Sequence, residues 1–212
     1  YRRYYQDNEL DDTLEVGNRR YMIPVELAGP FADPEIYANP AVVAVARLAL
    51  DLDAVLESCG AVIALSESRQ QHIHRDGPVL FDSAISAMLP AHALTFVLPL
   101  IDMNEEHGTT ALWPGSHRWR KRDESVPPIA PEVPVGSCMI WDFRLYHGGT
   151  PNRSAAPRPI LYSTYARRWY LDPRNFEKPT QPRLLYDEDF VRNLPEQNRP
   201  LFANLPDRTW RS

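Results

Sequence analysis

The sequence has little of what marks membrane, secreted or nucleic-acid-binding proteins. No run approaches the about 18 apolar residues of a transmembrane helix, and the first residues, YRRYYQDN, do not match a signal peptide. Basic residues do not exceed acidic ones, with 23 Lys and Arg against 28 Asp and Glu and a formal charge of −5, which disfavours phosphate-driven nucleic-acid binding. We therefore expect small-molecule ligands, no nucleic-acid or membrane partner and a cytoplasmic location; a homodimer is left open.

Cysteine is also scarce. The two cysteines, Cys59 and Cys138, lie in the apolar stretches SCGAVIAL and GSCMIWDF. Such positions predict buried free thiols in a reducing compartment rather than a disulfide framework.

The length of 212 residues, with 43% hydrophobic residues, favours a single domain with one substantial core. Residues 1–39 are polar and rich in Tyr, which predicts a segment on the surface rather than a core element. The run AVVAVARLALDLDAVLES at 41–58 favours a helix, with Asn39 as N-cap and Pro40 at the first helical position. We expect three parts: an N-terminal flanking segment and helix at 1–58, a β core at 59–169 and a C-terminal wrap at 170–212.

The core shows short β-branched and aromatic runs between turn residues, which is typical of an all-β sandwich or barrel. The 21 prolines agree, because proline marks strand edges and loops and disrupts helix interiors. The predicted strands are AVIALSES, SAISAML, HALTFVLPLIDM, TTALWPGS, SCMIWDFRLYH and PILYSTYARRWYL.

The segment QQHIHRDG carries a candidate metal pair. In an extended strand, His74 and Asp76 point to one face and Arg75 points away. His147, at the end of the apolar run IWDFRLYH, can supply a third ligand from a distant strand. Two histidines and one carboxylate leave one side of an octahedral ion open, the arrangement of non-haem Fe(II) oxygenases that use O2.

Such an iron site needs a co-substrate that supplies two electrons, and a 2-oxo acid does so by chelation. Arg158 stands eleven residues after His147, at the start of the next apolar run. A ten-residue connection lets the two strands run side by side, so we expect the guanidinium to lie deeper in the same barrel. Arginine suits this position because its planar fork grips a carboxylate and stays charged when buried.

Four stretches, HRD, EEHGTTALWPGSHRW, GSCMIWDFRLYHGGTPNRS and RPILYS, resemble the phytanoyl-CoA dioxygenase family of Fe(II)/2-oxoglutarate-dependent oxygenases. The resemblance covers about residues 59–169. It implies a mainly β, double-stranded β-helix (jelly roll, cupin-like) with flanking helices, and iron held by His74, Asp76 and His147. It also implies 2-oxoglutarate held by Arg158, with Gln71 and Thr110 touching the co-substrate. Gln71 has the wrong parity for a regular strand with His74, so this role requires a bend.

Within the family, halogenating members replace the carboxylate ligand with a small residue, so Asp76 favours hydroxylation, desaturation or a related C–H oxidation. We expect the substrate to be a small organic metabolite of a biosynthetic pathway, because no long basic surface suited to a CoA nucleotide is present. An acyl-CoA hydroxylase and a catalytically inactive β-sandwich that binds a metabolite are the alternatives.

Other residues receive structural interpretations. His72 and His74 match the His-x-His pair of a cupin, but Pro78 occupies the place where a cupin needs glutamate. We expect the remaining marked residues to order turns, pair or pack: His117 at the rim of the site, His92 and His107 exposed, Asp142 with Arg144 as a pair, Asn152 in the turn after His147, and Trp113, Trp141 and Trp169 in the core or a substrate pocket.

Overall fold

The computed structural model describes residues 15–176 and 182–205. Within them the strands are β1 (Glu15–Gly17), β2 (Arg20–Pro24), β3 (Val55–Ala64), β4 (Ala93–Pro99), β5 (Thr110–Leu112), β6 (Met139–Asp142), β7 (His147–Gly149) and β8 (Arg158–Ala166). The α-helices are α1 (Pro34–Tyr37), α2 (Pro40–Leu50) and α3 (Glu188–Asn193), and short 3-10 helices cover Gly29–Ala32, Ala84–Ala87, Ser116–Arg118 and Glu196–Phe202. None of the helices described is long and apolar enough to cross a bilayer.

The strands form a larger and a smaller sheet. The larger one has the order β1-β2-β3-β8-β4-β6, and the smaller one pairs β5 with β7 in antiparallel fashion. In the smaller sheet Thr110 lies opposite Gly149, and Leu112 lies opposite His147. The mainly β character predicted from the sequence is confirmed.

Helix α2 starts where the sequence predicts and ends earlier. The Asn39 side chain accepts hydrogen bonds from the N–H groups of Ala41 and Val42, at 3.0 and 3.3 Å, and Pro40 follows it. The helix ends at Leu50, and β3 already begins at Val55, so the expected helical run to residue 58 is wrong at its C-terminal end. Tertiary pairing decides this boundary, because all six residues from Val55 to Gly60 are buried in the strand.

The chain divides into two compact units. The first contains residues 15–23, 61–89 and 96–162. Its core is a cluster of buried apolar side chains: Val97, Met103, Val133, Met139, Trp141, Leu145 and Ile160. This unit holds β5, β6 and β7 together with all the residues singled out for chemistry.

The second unit contains residues 24–60, 90–95, 163–176 and 182–205. The rings of Tyr37, Phe190 and Phe202 meet edge to face, with centroids 5.4 to 5.5 Å apart. The C-terminal segment joins this unit by backbone pairing, since the N–H of Cys59 donates to the carbonyl of Arg183 at 3.0 Å.

The N-terminal segment and the run SAISAML both differ from the prediction. Strands β1 and β2 join the larger sheet and bury Arg20 and Ile23, whereas the sequence predicts only a surface segment for residues 1–39. SAISAML contains a 3-10 helix at Ala84–Ala87 instead of a strand. A side chain distant in sequence contacts this helix, since Arg144 Nη1 donates to the carbonyl of Ser86 at 3.1 Å.

Three predictions of burial are also wrong. Cys138 is exposed, because it precedes β6 on the side opposite to the buried Met139, whereas Cys59 is buried as expected. His92 is 1% exposed, since its carbonyl accepts a hydrogen bond from the N–H of Arg167 at 2.9 Å and its ring lies 4.4 Å from that of Tyr170. Trp169 is 64% exposed, because it lies in the turn after β8.

Candidate metal centre

The segment before the metal pair runs antiparallel to β7. The N–H of Gln71 donates to the carbonyl of Gly149, and His74 and His147 exchange two backbone hydrogen bonds, all at 2.9 Å. Gln71 and His74 are three positions apart, whereas their partners Gly149 and His147 are two apart. One extra residue is therefore accommodated in the segment, as in a β-bulge, and this is the bend that the parity of Gln71 requires.

Both histidines are oriented by their own backbone. His74 Nδ1 lies 2.9 Å from the carbonyl oxygen of His72, and His147 Nδ1 lies 2.9 Å from that of Leu145. A carbonyl oxygen can only accept, so each Nδ1 carries the proton and each Nε2 keeps its lone pair. This tautomer is the one that metal-binding histidines need.

The two Nε2 atoms converge on Asp76. Its Oδ1 lies 3.3 Å from His147 Nε2 and 3.9 Å from His74 Nε2, and one ligand atom from each residue lies within 4.8 Å of the others. Adjacent ligands of an octahedral ion, at about 2.1 Å from the metal, are about 3 Å apart. The three side chains thus fit a single divalent ion after small side-chain adjustments.

The electrostatics of the three side chains are coupled. Burial and the neighbouring His147 lower the pKa of His74 to about 4, so this imidazole is neutral at pH 7. Burial also acts to lower the pKa of His147, but the Asp76 carboxylate outweighs it and raises that pKa above its usual value. Protonation of His147 would place its second proton on Nε2, the atom that faces Asp76, and a metal ion would displace that proton on binding.

Arg75 points away from the metal pair, as the alternation predicts. Its Nη2 donates to the carbonyl of Ser116 at 2.9 Å and to that of Trp119. The guanidinium carbon also lies 4.1 Å from the centre of the Tyr146 ring. The Pro-Gly-Ser-His turn, which contains His117 on a half-exposed 3-10 helix, therefore fixes the residue between two of the candidate ligands.

Arg158 is the first residue of β8 and is only 1% exposed. Its Nη1 donates to the carbonyl of Thr109 at 3.0 Å, while its Nε has no partner among the residues described. Burial, with a contribution from the charge of Arg20, lowers the pKa of Arg158 to about 9, which still leaves it charged at pH 7.

Sequence reasoning missed Arg20. Its Nη2 donates to the carbonyls of Thr150 at 3.0 Å and of Gly149 and Arg69 at 3.4 Å. A signal was present in the two glycines after His147, because glycine within a strand often marks the close approach of another group. A Cβ at Gly149 would lie only 2.0 Å from Arg20 Nη1.

The two residues named only by resemblance lie beside β7. Thr110 is buried in β5 opposite Gly149. The Gln71 side chain bridges backbone groups, since its Nε2 donates to the carbonyl of Val16 at 2.9 Å and its Oε1 accepts from the N–H of Gly149 at 3.0 Å. A contact of either residue with a co-substrate stays a prediction.

Two further structural interpretations agree with the geometry. Arg144 donates to both carboxylate oxygens of Asp142, at 2.9 and 2.7 Å. Asn152 is fully buried and holds the turn after His147, because its Nδ2 donates to the carbonyl of Ala156 and its Oδ1 accepts from Ser154. It also donates to the carbonyl of Ala64 at 3.1 Å, which ties the turn to β3.

A family model described as Phytanoyl-CoA dioxygenase (PhyH) matches residues 31–160. The chain belongs to this family. The matched range contains the three candidate metal ligands and Arg158, and the family assigned from the sequence motifs is confirmed.

Curated relatives match over part of their length. The Fe(II)/2-oxoglutarate-dependent dioxygenase nvfF of Aspergillus novofumigatus is 28% identical over 165 residues, which cover 73% of this chain and 55% of the relative. The dioxygenase trt7 of Aspergillus terreus is 33% identical over 127 residues, which cover 53% of this chain and 43% of the relative. The chain thus spans about half the length of these members of the phytanoyl-CoA dioxygenase family.

Among solved structures, HygX from Streptomyces hygroscopicus, with nickel, 2-oxoglutarate and hygromycin B bound, superposes with a TM-score of 0.59. The match covers 88% of this chain and 90% of HygX at 15% sequence identity. It confirms the predicted fold class, a mainly β jelly roll with flanking helices.

Proposed function

We propose that this chain is the core of an Fe(II)/2-oxoglutarate-dependent dioxygenase that oxidises a small organic metabolite in a biosynthetic pathway. The observation that carries the proposal is the convergence of His74, Asp76 and His147 in the same unit as a deeply buried Arg158. A buried guanidinium without an acidic partner is costly unless a ligand supplies the negative charge. The membership of the phytanoyl-CoA dioxygenase family supports the same chemistry.

Each residue then has a defined task. His74 Nε2, His147 Nε2 and Asp76 Oδ1 would hold the iron. Arg158 would bind the distal carboxylate of 2-oxoglutarate through its fork of N–H groups. When bound, iron, 2-oxoglutarate and O2 supply the oxidation of a substrate C–H bond, with release of succinate and CO2.

The surrounding side chains keep the ligands in place. The ring of Trp141 lies 5.1 Å from that of His147, and at 7% exposure it excludes water from that side of the imidazole. The ties of Arg75 to the Ser116 turn hold the backbone between His74 and Asp76. Fixed ligands reduce the reorganisation that metal binding requires.

The substrate class rests on composition and comparison. The HygX structure has hygromycin B bound, and the full sequence of this chain has a formal charge of −5. We therefore propose a small or medium-sized metabolite and not an acyl-CoA. The cytoplasmic location and the lack of nucleic-acid partners stay predictions of the composition.

The deciding experiment has two steps. Anaerobic addition of Fe(II) and 2-oxoglutarate to the full-length protein should give a weak visible charge-transfer band. Metabolites are then screened for stimulated succinate release under air. A well-folded protein with no band would contradict the proposal, and a band with no succinate release from any substrate would favour the inactive binding protein.

A further inference from the structure

Helix α2 is apolar on every side. It has the sequence PAVVAVARLAL, in which Arg47 is the one charged or polar residue. The face that packs into the second unit carries four buried side chains: Val42, Val43, Ala46 and Leu50. A helix at the surface of a protein normally has polar residues on its other face, and a helix that is apolar all round is normally buried all round.

The other face of α2 is exposed and apolar. Its residues follow one another at the spacings of three and four that place side chains on one side of a helix, and a leucine follows just beyond the helix end. The α2 patch consists of Ala41, Ala44, Val45, Leu48, Ala49 and Leu52. Leu48 is 89% exposed and Leu52 is 84% exposed. A contiguous apolar patch without a charge at its centre is typical of a surface that binds another protein.

An exposed tryptophan enlarges the apolar surface at the C-terminal end of α2. Arg167 forms an ion pair with Asp51, the first residue after the helix. Trp169 follows two residues later in the same turn and is 64% exposed. Together with the α2 patch it exposes roughly 500 Å², so that two copies would bury about 1,000 Å² in all. This area is at the lower limit of specific protein–protein interfaces.

The α2 patch is complementary to itself. Its positions are symmetric about the midpoint between residues 46 and 47, since 41 mirrors 52, 44 mirrors 49 and 45 mirrors 48. In an antiparallel pair of helices related by a two-fold axis, Val45 would therefore meet Leu48 of a second copy. Ala44 would face Ala49, and these small side chains let the two helix axes approach closely.

The charges at the helix ends favour the same arrangement. Asp53 is exposed just beyond the patch, at the end where the helix dipole is negative, and the first turn of α2 has no acidic residue. In an antiparallel pair, Asp53 of each copy would lie near the positive N-terminal end of the other helix. An anionic membrane surface would instead be repelled by Asp51 and Asp53.

We propose that the α2 patch is the interface of a symmetric homodimer, in which the α2 helices of two copies pack antiparallel across a two-fold axis. The partner is a second copy of this chain. The inference does not depend on the proposed function, because α2 lies in the second unit and the residues singled out for chemistry lie in the first. The small interface predicts a dissociation constant in the micromolar range.

The first test is analytical ultracentrifugation of the full-length protein from about 0.1 to about 100 μM, a range that spans the expected dissociation constant. Leu48→Glu should weaken the dimer more than about 100-fold, because two carboxylates would be buried without partners beside the two-fold axis. Met88→Glu changes a side chain of the first unit that is 84% exposed, and this control should dimerise as the wild type does.

Both variants should keep the melting temperature of the monomeric wild type, since each changes an exposed side chain. Three results would overturn the inference: a wild type that is monomeric at every concentration, a dimer that survives Leu48→Glu, and a dimer that both variants weaken equally.

The second test measures the orientation of the helices by disulfide cross-linking. Cys138→Ser removes the exposed cysteine, and Ala41→Cys or Leu52→Cys is then introduced. In an antiparallel pair the two copies of residue 41 are about 16 Å apart along the helix axes, whereas residue 41 lies beside residue 52 of the other copy. A mixture of the two cysteine variants should therefore form covalent dimers, and each variant alone should not. Efficient cross-linking of Ala41→Cys with itself would contradict the antiparallel arrangement.

The third test separates a second copy of the chain from a lipid surface. The wild-type protein is sedimented with phosphatidylcholine vesicles, and we expect it to remain in the supernatant as a dimer. A monomer that pellets with the vesicles, and that Leu48→Glu releases from them, would overturn the inference in favour of membrane binding.

Discussion

The first unit contains two regions with buried arginines, one around Arg144 and one around Arg20 and Arg158. They differ in the groups that accept hydrogen bonds from the guanidinium. Arg144 donates through Nε and Nη2 to Asp142, and its Nη1 binds the carbonyl of Ser86. Arg20 and Arg158 are equally buried, yet among the described residues they donate to backbone carbonyls alone. The difference shows that one buried guanidinium is neutralised by a carboxylate of the described chain, whereas Arg158, the proposed co-substrate anchor, is held by a backbone carbonyl.

The largest effect is expected when Asp76, a candidate metal ligand in the same unit, is replaced. We expect Asp76→Ala to lower substrate-stimulated succinate release more than about 100-fold, because loss of a direct ligand exceeds the effect of losing an outer partner. The melting temperature should change little, since the Asp76 side chain is 22% exposed. Asp82→Ala, at an exposed aspartate six residues later, is the matched control and should keep full activity.

The region around Arg144, in which the chain itself supplies the carboxylate, is tested by Arg144→Gln. This change leaves the Asp142 carboxylate, 15% exposed, without its cation, so the free energy of unfolding should fall by about 3 kcal/mol or more. Urea denaturation measures it. The fraction that remains folded should bind 2-oxoglutarate as the wild type does, and a weakened affinity would remove the distinction between the two regions.

The region around Arg158, where we propose that 2-oxoglutarate binds, is tested by Arg158→Met. We expect the affinity for 2-oxoglutarate to fall about 100-fold, because a bidentate charge-assisted contact is lost. Without ligand, the same variant should be at least as stable as the wild type, since a buried charge with no counter-ion is replaced by an apolar side chain. Calorimetry and urea denaturation measure the two effects, and a large loss of stability in the ligand-free protein would place Arg158 with Arg144 instead.

The smallest effect is a pH dependence of the structural pair. Burial acts to raise the pKa of Asp142, but the hydrogen bonds and charge of Arg144 outweigh it and hold that pKa below its usual value. The stabilisation is therefore fully present above the unfolded pKa of about 3.9 and is lost as the pH falls through the lower folded value. The stability difference between wild type and Asp142→Asn should shrink from pH 6 to pH 3, and a constant difference would contradict the assignment.

Local sequence patterns predicted the structure correctly where residues close together in the chain determine it. Asn39 and Pro40 set the start of α2, and the alternation around Arg75 puts His74 and Asp76 on one side. The family motifs led to Arg158 and to the fold. The end of α2, the 3-10 helix at Ala84–Ala87 and the burial of His92 were missed, because partners distant in sequence determine each of them.

Arg20 shows the limit most clearly. Nothing within YMIPV signals that the arginine before it is buried, and only its proximity to Gly149, 129 positions later, reveals its place. The sequence by itself determined the family and the order of the candidate metal ligands and of the candidate anchoring arginine, because these depend on residue type and short spacing. The tertiary structure alone decided which buried charges are neutralised within the chain, because that depends on distances between strands that the spacing along the chain does not contain.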